Sequence, residues 1–248
     1  GSNKKYKSNI GPVPGKVKFC KFNDVSHLKK LVNKKTVAII IEFVQGDGGI
    51  NICSKNFAKA IKGICKNKKI LLIGDEIQGG IGRTGKIFAY KHYGVNPDII
   101  TSAKGLGSGI PIGATIVKKY ISKIISTGFH GSTFGGGMLQ TRVSYNVFRT
   151  INNKSFLNKV LINGNLLSSL IKKMHLLHKD KIVDTRCLGL MAGVEFKNNQ
   201  IALKTYEKMS KNGLISTLIQ GNIIRLTPPL TVSTGEIRKA IKIITQSL

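Results

Sequence analysis

The first half of the chain alternates strand-like and helix-like segments, and this alternation is the strongest constraint on its fold. The β-branched run TVAIIIEF covers residues 36–43, and KILLIGDE, DIITSAK and GATIVKK follow at 69–76, 98–104 and 113–119. Between the first two runs, SKNFAKAIKGICKN (54–67) places apolar residues at helical spacing behind a capping Ser54. The pattern predicts an α/β fold with a mostly parallel sheet, and such sheets bind ligands at the carboxyl ends of their strands.

The second half predicts a smaller α+β unit. Residues 138–178 have a helical pattern that is interrupted by an Asn/Ser-rich break at 152–155. Two strand-like segments (KIVDTRC and LGLMAGVEF), a helix near 200–211, the segment GNIIRLTPPL and a final amphipathic helix at 234–247 follow. We therefore expect two domains, one at 1–152 and a small C-terminal one at 153–248.

The strongly basic composition raises the possibility of a nucleic-acid-binding protein. The formal charge is +29, but only six of the 40 basic residues are Arg, the residue that base-edge and bidentate phosphate recognition favours. The lysines are scattered in pairs such as Lys118 and Lys119, without a block of five. A specific nucleic-acid partner is therefore not expected, although this function is kept as an alternative.

The apolar runs and the cysteine spacing indicate the cellular compartment of the protein. No apolar run approaches the ~18 residues of a membrane span, and the N-terminal GSNKKYKSNIG has no apolar signal segment. The four cysteines lie far apart without a C-x-x-C spacing, which favours free thiols over a zinc site or a disulfide framework. A cytoplasmic protein without a membrane partner is expected.

Two Gly-rich clusters are not expected to bind a phosphate or a dinucleotide. Residues 80–86, GIGRTGK, nearly match a phosphate-binding loop, but Ile87 stands where that loop needs Ser or Thr, so a Gly-rich surface loop is expected. KGLGSGIPIG (104–113) lacks the G-x-G-x-x-G spacing of a dinucleotide fingerprint.

Five residues spaced along the predicted elements remain as candidates for chemistry: Asp75, Gln78, Lys104, Thr133 and Arg225. Each has an ordinary alternative role as a turn cap, a loop hydroxyl or a surface cation. Together they are compatible with a pyridoxal phosphate site, in which a lysine after a strand holds the cofactor and an aspartate faces the pyridine nitrogen.

The segment LLIGDEIQGGIGRTGKIFAYKHYGVNPDIITSAKGLGSGIPIGA resembles the core of the class III pyridoxal-phosphate aminotransferases, and GFHGSTFGGG and GNIIRLTPPL resemble further motifs of that family in the same order. GIGRTG and HYGVNPDI are most similar to the acetylornithine aminotransferase branch, with the ornithine aminotransferases next. The resemblance implies a partial large cofactor-binding domain followed by the small C-terminal domain.

The resemblance also implies roles for the candidates. Asp75 is similar to the acid that pairs with the pyridinium nitrogen, and Gln78 to the side chain near the ring hydroxyl. Lys104 resembles the lysine that holds the cofactor and moves a proton at the substrate Cα. Thr133 resembles the residue that contacts the cofactor phosphate of a neighbouring subunit, which implies a homodimer. Arg225 is similar to the arginine that clamps the substrate α-carboxylate.

Two further acids, Glu42 and Asp47, occupy the acidic positions of the family's E-P-x-Q-G-E motif, and the second would pair with the clamp arginine between half-reactions. Departures from the family are also present: Phe43 replaces the Pro of this motif, Asp47 is one methylene shorter than the family Glu, and Gly79 replaces a Thr. Gly137 and Met138 stand where the family has Asn and Pro, which loosens the start of a helix.

The expected reaction moves an amino group from N-acetylornithine to 2-oxoglutarate, in arginine or lysine biosynthesis, with an amino acid and a 2-oxo acid as small-molecule partners. The chain begins roughly where the second half of the family's large domain begins, so it is expected to be a C-terminal fragment that exposes apolar faces of its sheet. Two alternatives stay open: the chain is an inactive remnant, or it is one half of a split aminotransferase that a complementing N-terminal half completes.

Overall fold

The computed structural model describes residues 17–248, so the N-terminal segment 1–11, in which no signal sequence is expected, lies outside the described residues. The helices within 17–248 are α1 (Val25–Leu31), α2 (Lys55–Lys68), α3 (Lys119–Ser122), α4 (Met138–Ile151), α5 (Lys154–Leu177), α6 (Asn199–Lys211) and α7 (Thr234–Ser247). The strands are β1 (Ala38–Ile41), β2 (Val44–Gln45), β3 (Asn51–Ile52), β4 (Leu71–Asp75), β5 (Ile99–Ser102), β6 (Ala114–Val117), β7 (Ile182–Leu188), β8 (Met191–Phe196), β9 (Thr217–Ile219) and β10 (Ile223–Leu226).

The first half forms a four-stranded sheet in the order β1-β4-β5-β6. Strands β1, β4 and β5 are parallel, with Ile41 opposite Gly74 and Asp75 opposite Thr101. Strand β6 runs antiparallel to β5, so the sheet is mostly parallel, as predicted, with one antiparallel edge. Because β4 and β5 point the same way, the residues that follow both strands meet at one edge of the sheet.

Helix α2 covers one face of this sheet. Ser54 caps its start by accepting a hydrogen bond from the Phe57 amide, and Phe57, Ile61 and Cys65 follow on the buried side. They pack with Ile41 of β1 and Leu72 of β4 in one core. The opposite face is apolar and exposed at Ile40, as the sequence predicted.

The second half forms a separate antiparallel sheet in the order β7-β8-β10-β9. Helices α5, α6 and α7 cover it, and their buried residues share a core with Val194, Phe196 and Ile224. Helix α7 begins with a capping box between Ser233 and Glu236, which satisfies backbone amides that a helix start leaves free.

Local signals predicted the longer elements well and the shortest ones poorly. The break between α4 and α5 lies at residues 152–153, where Asn153 caps α5. Gly137 offers α4 no side-chain cap, in agreement with the loosened start expected there. Helices α1 and α3 and strands β2, β3 and β9 were not predicted, because two or three strand residues, or two turns of helix or fewer, carry little periodicity.

Segment 80–85 corrects the prediction of a Gly-rich surface loop. Apart from the half-buried Arg83, its residues are buried. Gly82 lies against Ile151, and Gly85 lies against Leu161 of α5. Helix packing onto the glycines, which offer flat backbone rather than side chains, buries the segment.

All four cysteines are free thiols, as expected from their spacing. Among residues 17–248 no helix combines the length and apolar character that crossing a membrane requires.

Two helical glycines provide a matched test of this packing. A Cβ at Gly164 in α5 would lie 2.5 Å from the carbonyl oxygen of Gly189, whereas a Cβ at Gly63 in α2 would meet nothing within 4 Å. We expect Gly63→Ala to raise the free energy of unfolding by ~0.5–1 kcal/mol through helix propensity. Gly164→Ala is expected to lower it by about 1–3 kcal/mol, because backbone has to move.

Urea denaturation of both variants measures this difference. Equal stabilisation by the two substitutions would mean that α5 does not approach the β7–β8 turn as closely as the structure has it.

Candidate functional site

An open cleft of about 740 Å³ lies between the edge of the first sheet and the second half of the chain. Its lining from the first half includes Gln78, Arg83 and Lys104, and from the second half Val147, Arg225 and Pro229. Segment 76–90, the turn after β5 and strand β10 thus contribute polar side chains to one space. The rest of the lining mixes apolar side chains such as Ile81 and Leu230 with small polar ones such as Thr150, and such a mixture suits a small-molecule site.

Asp75 is the last residue of β4, at the carboxyl edge of the sheet. Its Oδ1 accepts hydrogen bonds from the Thr101 hydroxyl at 3.3 Å and from the Ile77 amide at 3.1 Å. Thr101 is its register partner on β5, so the sheet itself orients the carboxylate. The side chain is half-buried and borders the cleft without being part of its lining.

Lys104 stands two residues beyond the end of β5, and its backbone has a φ of 46°. The left-handed backbone conformation costs a lysine about 1 kcal/mol or more, so the surrounding structure has to hold it there. The short turn Lys104–Leu106 fixes it: the Gly107 amide donates to the Lys104 carbonyl at 3.1 Å. The exposed side chain is thereby directed along the cleft lining.

Arg225 lies in the middle of β10 and is joined to the first half of the chain. Its Nη1 donates to Asp47 Oδ1 at 2.6 Å and to Gln78 Oε1 at 3.2 Å. Its Nε is buried and has no hydrogen-bond partner among residues 17–248. The guanidinium therefore lines the cleft while its Nε lies below the surface as an unsatisfied buried donor.

Asp47 is the exposed partner of this ion pair, with 60% of its side chain accessible. Burial alone would raise the pKa of Asp47, but hydrogen bonds from Arg225 and Gln78 and the charges of Arg225 and Lys104 outweigh it, so the pKa lies below its usual range. Asp47 is thus an anion at neutral pH that holds Arg225 and remains free to move toward solvent.

Glu42 is the second acid near the cleft, and it is half-buried. Its Oε2 accepts a hydrogen bond from the Gly46 amide at 3.0 Å. Burial, followed by the negative charges of Asp75 and Asp47, raises the pKa of Glu42, while the Gly46 hydrogen bond and Lys104 oppose the change. The four acids and bases at this edge therefore influence one another electrostatically.

The structure brings six of the seven predicted site residues together. Gln78, Lys104 and Arg225 line the cleft, and the three acids contact or interact electrostatically with them; the acids are Glu42, Asp47 and Asp75. Thr133 lies elsewhere, in the exposed stretch 122–136, and it is not part of the cleft lining.

Glu76 was missed as a site residue, although it adjoins Asp75. It is completely buried, and its two oxygens accept hydrogen bonds from the Ala89 amide at 2.7 Å and the Tyr90 amide at 2.8 Å. The two hydrogen bonds hold the ends of segment 76–90 together as a loop. Gln78 lies near the start of this loop and lines the cleft. An acid directly after an apolar strand was the available signal, but nothing in the sequence identified amides 13 and 14 residues away as its partners.

Two departures from the family motifs lie in this same region. Phe43 is buried and stacks on Tyr93 with ring centroids 5.2 Å apart, so it belongs to the core below the sheet. A Cβ at Gly79 would lie 3.2 Å from the Ala89 Cβ, so this loop is packed too closely for a larger residue without adjustment. The glycine at 79 thus suits the tight closure that Glu76 makes.

Glu76 makes stability depend on pH. Burial, opposed by the two amide hydrogen bonds and assisted by Asp75, raises the pKa of Glu76 from 4.5 to about 7. In this range the unfolded chain releases the proton before the folded chain does, so the free energy of unfolding falls as pH rises from about 4.5 to about 7. We expect Glu76→Gln to remove this pH dependence. The free energy of unfolding of the variant, relative to that of the parent, is then expected to increase by a few kcal/mol between about pH 4.5 and about pH 7.

Thermal or urea unfolding at a series of pH values measures the slope. Glu207→Gln, at an exposed position of α6, is the control and should keep the parental profile. The glutamine also loses one favourable amide contact, which adds a constant offset without a slope. Parallel profiles for the parent and Glu76→Gln would contradict the assigned titration.

Comparison with known proteins agrees with this geometry. The sequence profile of the family described as aminotransferase class-III matches residues 1–248. The acetylornithine aminotransferase of Methanocaldococcus jannaschii is 40% identical over 237 residues, covering 94% of this chain and 58% of that protein. The ornithine aminotransferase 1 of Staphylococcus saprophyticus is 37% identical over 249 residues, covering 100% of this chain and 62% of that protein.

Solved structures show the same relationship. The ornithine aminotransferase of Toxoplasma gondii superposes with a TM-score of 0.93 at 28% identity, over 99% of this chain and 59% of that one. The chain thus spans about three fifths of the length of the relatives it matches. Sequence and fold agree along essentially the whole chain, and it belongs to the class III aminotransferases.

Proposed function

We propose that the cleft is the substrate side of a pyridoxal phosphate site in an acetylornithine-type aminotransferase. The observation that carries the proposal is the convergence of Lys104, Gln78 and Arg225 on one cleft, with Arg225 bound to Asp47. The proposed reaction transfers an amino group from N-acetylornithine to 2-oxoglutarate and supplies arginine or lysine biosynthesis. The names of the matched acetylornithine aminotransferases support this donor, and ornithine is the second candidate.

The residues present fit pyridoxal phosphate in chemistry and in placement. A carboxylate, Asp75, ends β4, and an amine, Lys104, follows the neighbouring parallel strand β5. The Arg225 guanidinium and the aliphatic residues of the lining support binding of an anionic, partly apolar substrate. When bound, this cofactor supplies an electron sink for the bond that breaks at the substrate Cα.

Lys104 and Asp75 would divide the proton chemistry. Asp75, oriented by Thr101, would keep a proton on the ring nitrogen of the cofactor. Lys104 would hold the cofactor through its amine and would carry a proton to and from the substrate Cα. Gln78 would lie beside the ring hydroxyl. The fixed turn at Lys104 supports this role, because it limits where the amine can reach.

Arg225 would bind the substrate α-carboxylate through two parallel hydrogen bonds. Its Nη1 is already engaged by Asp47, so an incoming carboxylate has to replace Asp47. The high exposure of Asp47 supports such an exchange, since the displaced side chain can be hydrated. Glu42 would remain in place on the Gly46 amide and limit the negative charge that the site tolerates.

We further propose that a working site is shared between the subunits of a homodimer. In this arrangement Thr133 reaches the cofactor phosphate of the neighbouring subunit. Its exposed position, flanked by Phe129 at 73% exposure and Phe134 at 86%, supports a surface that a second subunit covers. The proposed division into domains at 1–152 and 153–248 is supported by the separate sheets on either side of the 152–153 break. The proposed location is the cytoplasm.

A trapping experiment tests the cofactor assignment. Purified chain is incubated with pyridoxal phosphate, reduced with borohydride and digested, and the modified lysine is identified by mass spectrometry. We expect one dominant adduct on Lys104, which disappears in Lys104→Ala and persists in Lys86→Ala, an exposed lysine of the neighbouring segment. Labelling of both lysines at similar yield, or no stable adduct at all, would refute a site built by this chain.

The amino donor is tested on chain that gives the Lys104 adduct. Transamination from N-acetylornithine and from ornithine to 2-oxoglutarate is compared through glutamate formation. We expect N-acetylornithine to give the higher kcat/KM. A preference for ornithine would assign the other branch, and an adduct without turnover would favour the inactive remnant, or a split enzyme that needs its complementing half.

A further inference from the structure

Arg83 connects the first half of the chain to the strand that carries Arg225. Its Nη1 donates to the carbonyl oxygens of Leu190 at 3.1 Å and Pro228 at 2.5 Å. The Arg83 carbonyl in turn accepts a hydrogen bond from the Leu190 amide at 3.0 Å. One residue of segment 76–90 therefore contacts both the β7–β8 turn and the segment after β10.

The packing around Arg83 leaves little freedom. A Cβ at Gly189 would lie 2.5 Å from the carbonyl carbon of Thr84, so the β7–β8 turn approaches the backbone beside Arg83 closely. Gly82 lies against Ile151 and close to Leu230. Because glycines allow these approaches, the position of segment 82–85 also fixes the position of the second half near the cleft.

The charge of Arg83 has no acidic partner in an ion pair within residues 17–248. Burial lowers the pKa of Arg83 to about 10, so the guanidinium still carries its charge at neutral pH. A half-buried charge that pairs with carbonyl oxygens and with no acid is costly to desolvate. Both hydrogen bonds leave from the single nitrogen Nη1, whose two hydrogens meet two carbonyls, and a lysine, which has a shorter reach, is expected to keep at most one of them.

One of the two contacts of Arg83, Pro228, lies close to Arg225 in the chain. Pro228 follows Arg225 by three residues, and Gln78, which accepts from Arg225, precedes Arg83 by five. The chain from Gln78 to Arg83 and the chain from Arg225 to Pro228 are therefore hydrogen-bonded to each other at both ends. Two such connections fix both the position and the orientation of one segment relative to the other.

We propose that Arg83 is a positioning residue for Arg225: it holds the segment after β10 so that the Arg225 guanidinium meets Gln78 and Asp47. The consequence for substrate carboxylate binding rests on the proposed function, whereas the positioning itself does not. Loss of Arg83 is expected to release Pro228 and to weaken the hydrogen bonds from Arg225 Nη1.

The side chain of Arg225 can be observed directly by NMR, because the chain has only six arginines. Rotation of a guanidinium about its Nε–Cζ bond is slow when Nη1 is held by partners and fast when it is free. We expect Arg83→Met to speed this rotation in Arg225 by about tenfold, and Arg83→Lys by less, since lysine can donate to one of the two carbonyls. Arg225→Lys assigns the signal.

Two controls separate positioning from general loosening. Arg149→Met makes the same substitution at an exposed arginine whose Nη1 donates to the Tyr145 hydroxyl, and Ile241→Val weakens the core of the second half. Neither should change the rotation of Arg225. The proposal is overturned if both Arg83 variants keep the parental rate, or if Ile241→Val accelerates rotation as much as Arg83→Met.

Equilibrium binding of 2-oxoglutarate, measured by calorimetry on the same variants, tests the functional consequence. We expect Arg83→Met to raise its Kd about tenfold while the Kd for pyridoxal phosphate changes by less than about twofold. An unchanged 2-oxoglutarate Kd would overturn the consequence for substrate binding. If the parent chain binds no 2-oxoglutarate, the proposed function fails, and the rotation of Arg225 still decides whether Arg83 positions it.

Discussion

The two backbone amides that donate to Glu76 are the interaction on which the cleft depends. A buried carboxylate with two amide donors defines the ends of segment 76–90, and the side chains between them are Gln78 at the cleft and Arg83 at the contact with the second half. Because burial raises the pKa of Glu76 to about 7, this closure combines good hydrogen-bond geometry with an electrostatic penalty. The carboxylate is tolerated at this position despite the penalty because its two oxygens accept hydrogen bonds from both amides, which an apolar side chain could not do.

The positions of Asp75 and Lys104 follow from sheet geometry alone. Parallel neighbours β4 and β5 end at the same edge, so an aspartate at the end of one and a lysine just after the other have to lie near each other. This part of the site could be predicted from hydrophobic runs and their terminal residues. The contact between Arg225 and Asp47 was expected from the family resemblance alone, because 178 residues separate the two and the packing of the two sheets against each other has no local signal.

Sequence reasoning failed where glycines and buried polar groups determine the structure. A Gly-rich stretch without periodicity is normally exposed, yet segment 80–85 is buried, because α4 and α5 pack against its flat backbone at Gly82 and Gly85. Glu76 could not be separated from Asp75 by any local property, since both follow the same apolar run. What distinguishes them is direction: Asp75 faces Thr101 at the sheet edge, and Glu76 turns inward toward Ala89 and Tyr90. The alternation of strand side chains predicts opposite faces but not which partner each will meet.

The substitution of Asp for Glu at position 47 fits the arrangement rather than weakening it. A shorter side chain needs its backbone closer to Arg225, and Gln220 donates to the Asp47 carbonyl at 2.6 Å while Arg186 donates to the Gly49 carbonyl. Both donors belong to the second half, so this loop is drawn toward β10 by hydrogen bonds that do not involve the Asp47 side chain. The carboxylate is therefore anchored through its backbone and remains exposed, which allows it to leave Arg225 without disturbing the loop. In the proposed exchange, a substrate carboxylate replaces the Asp47 carboxylate on Arg225. This exchange requires that the Asp47 side chain does not also hold the loop in place, because such a side chain could not be displaced at low cost.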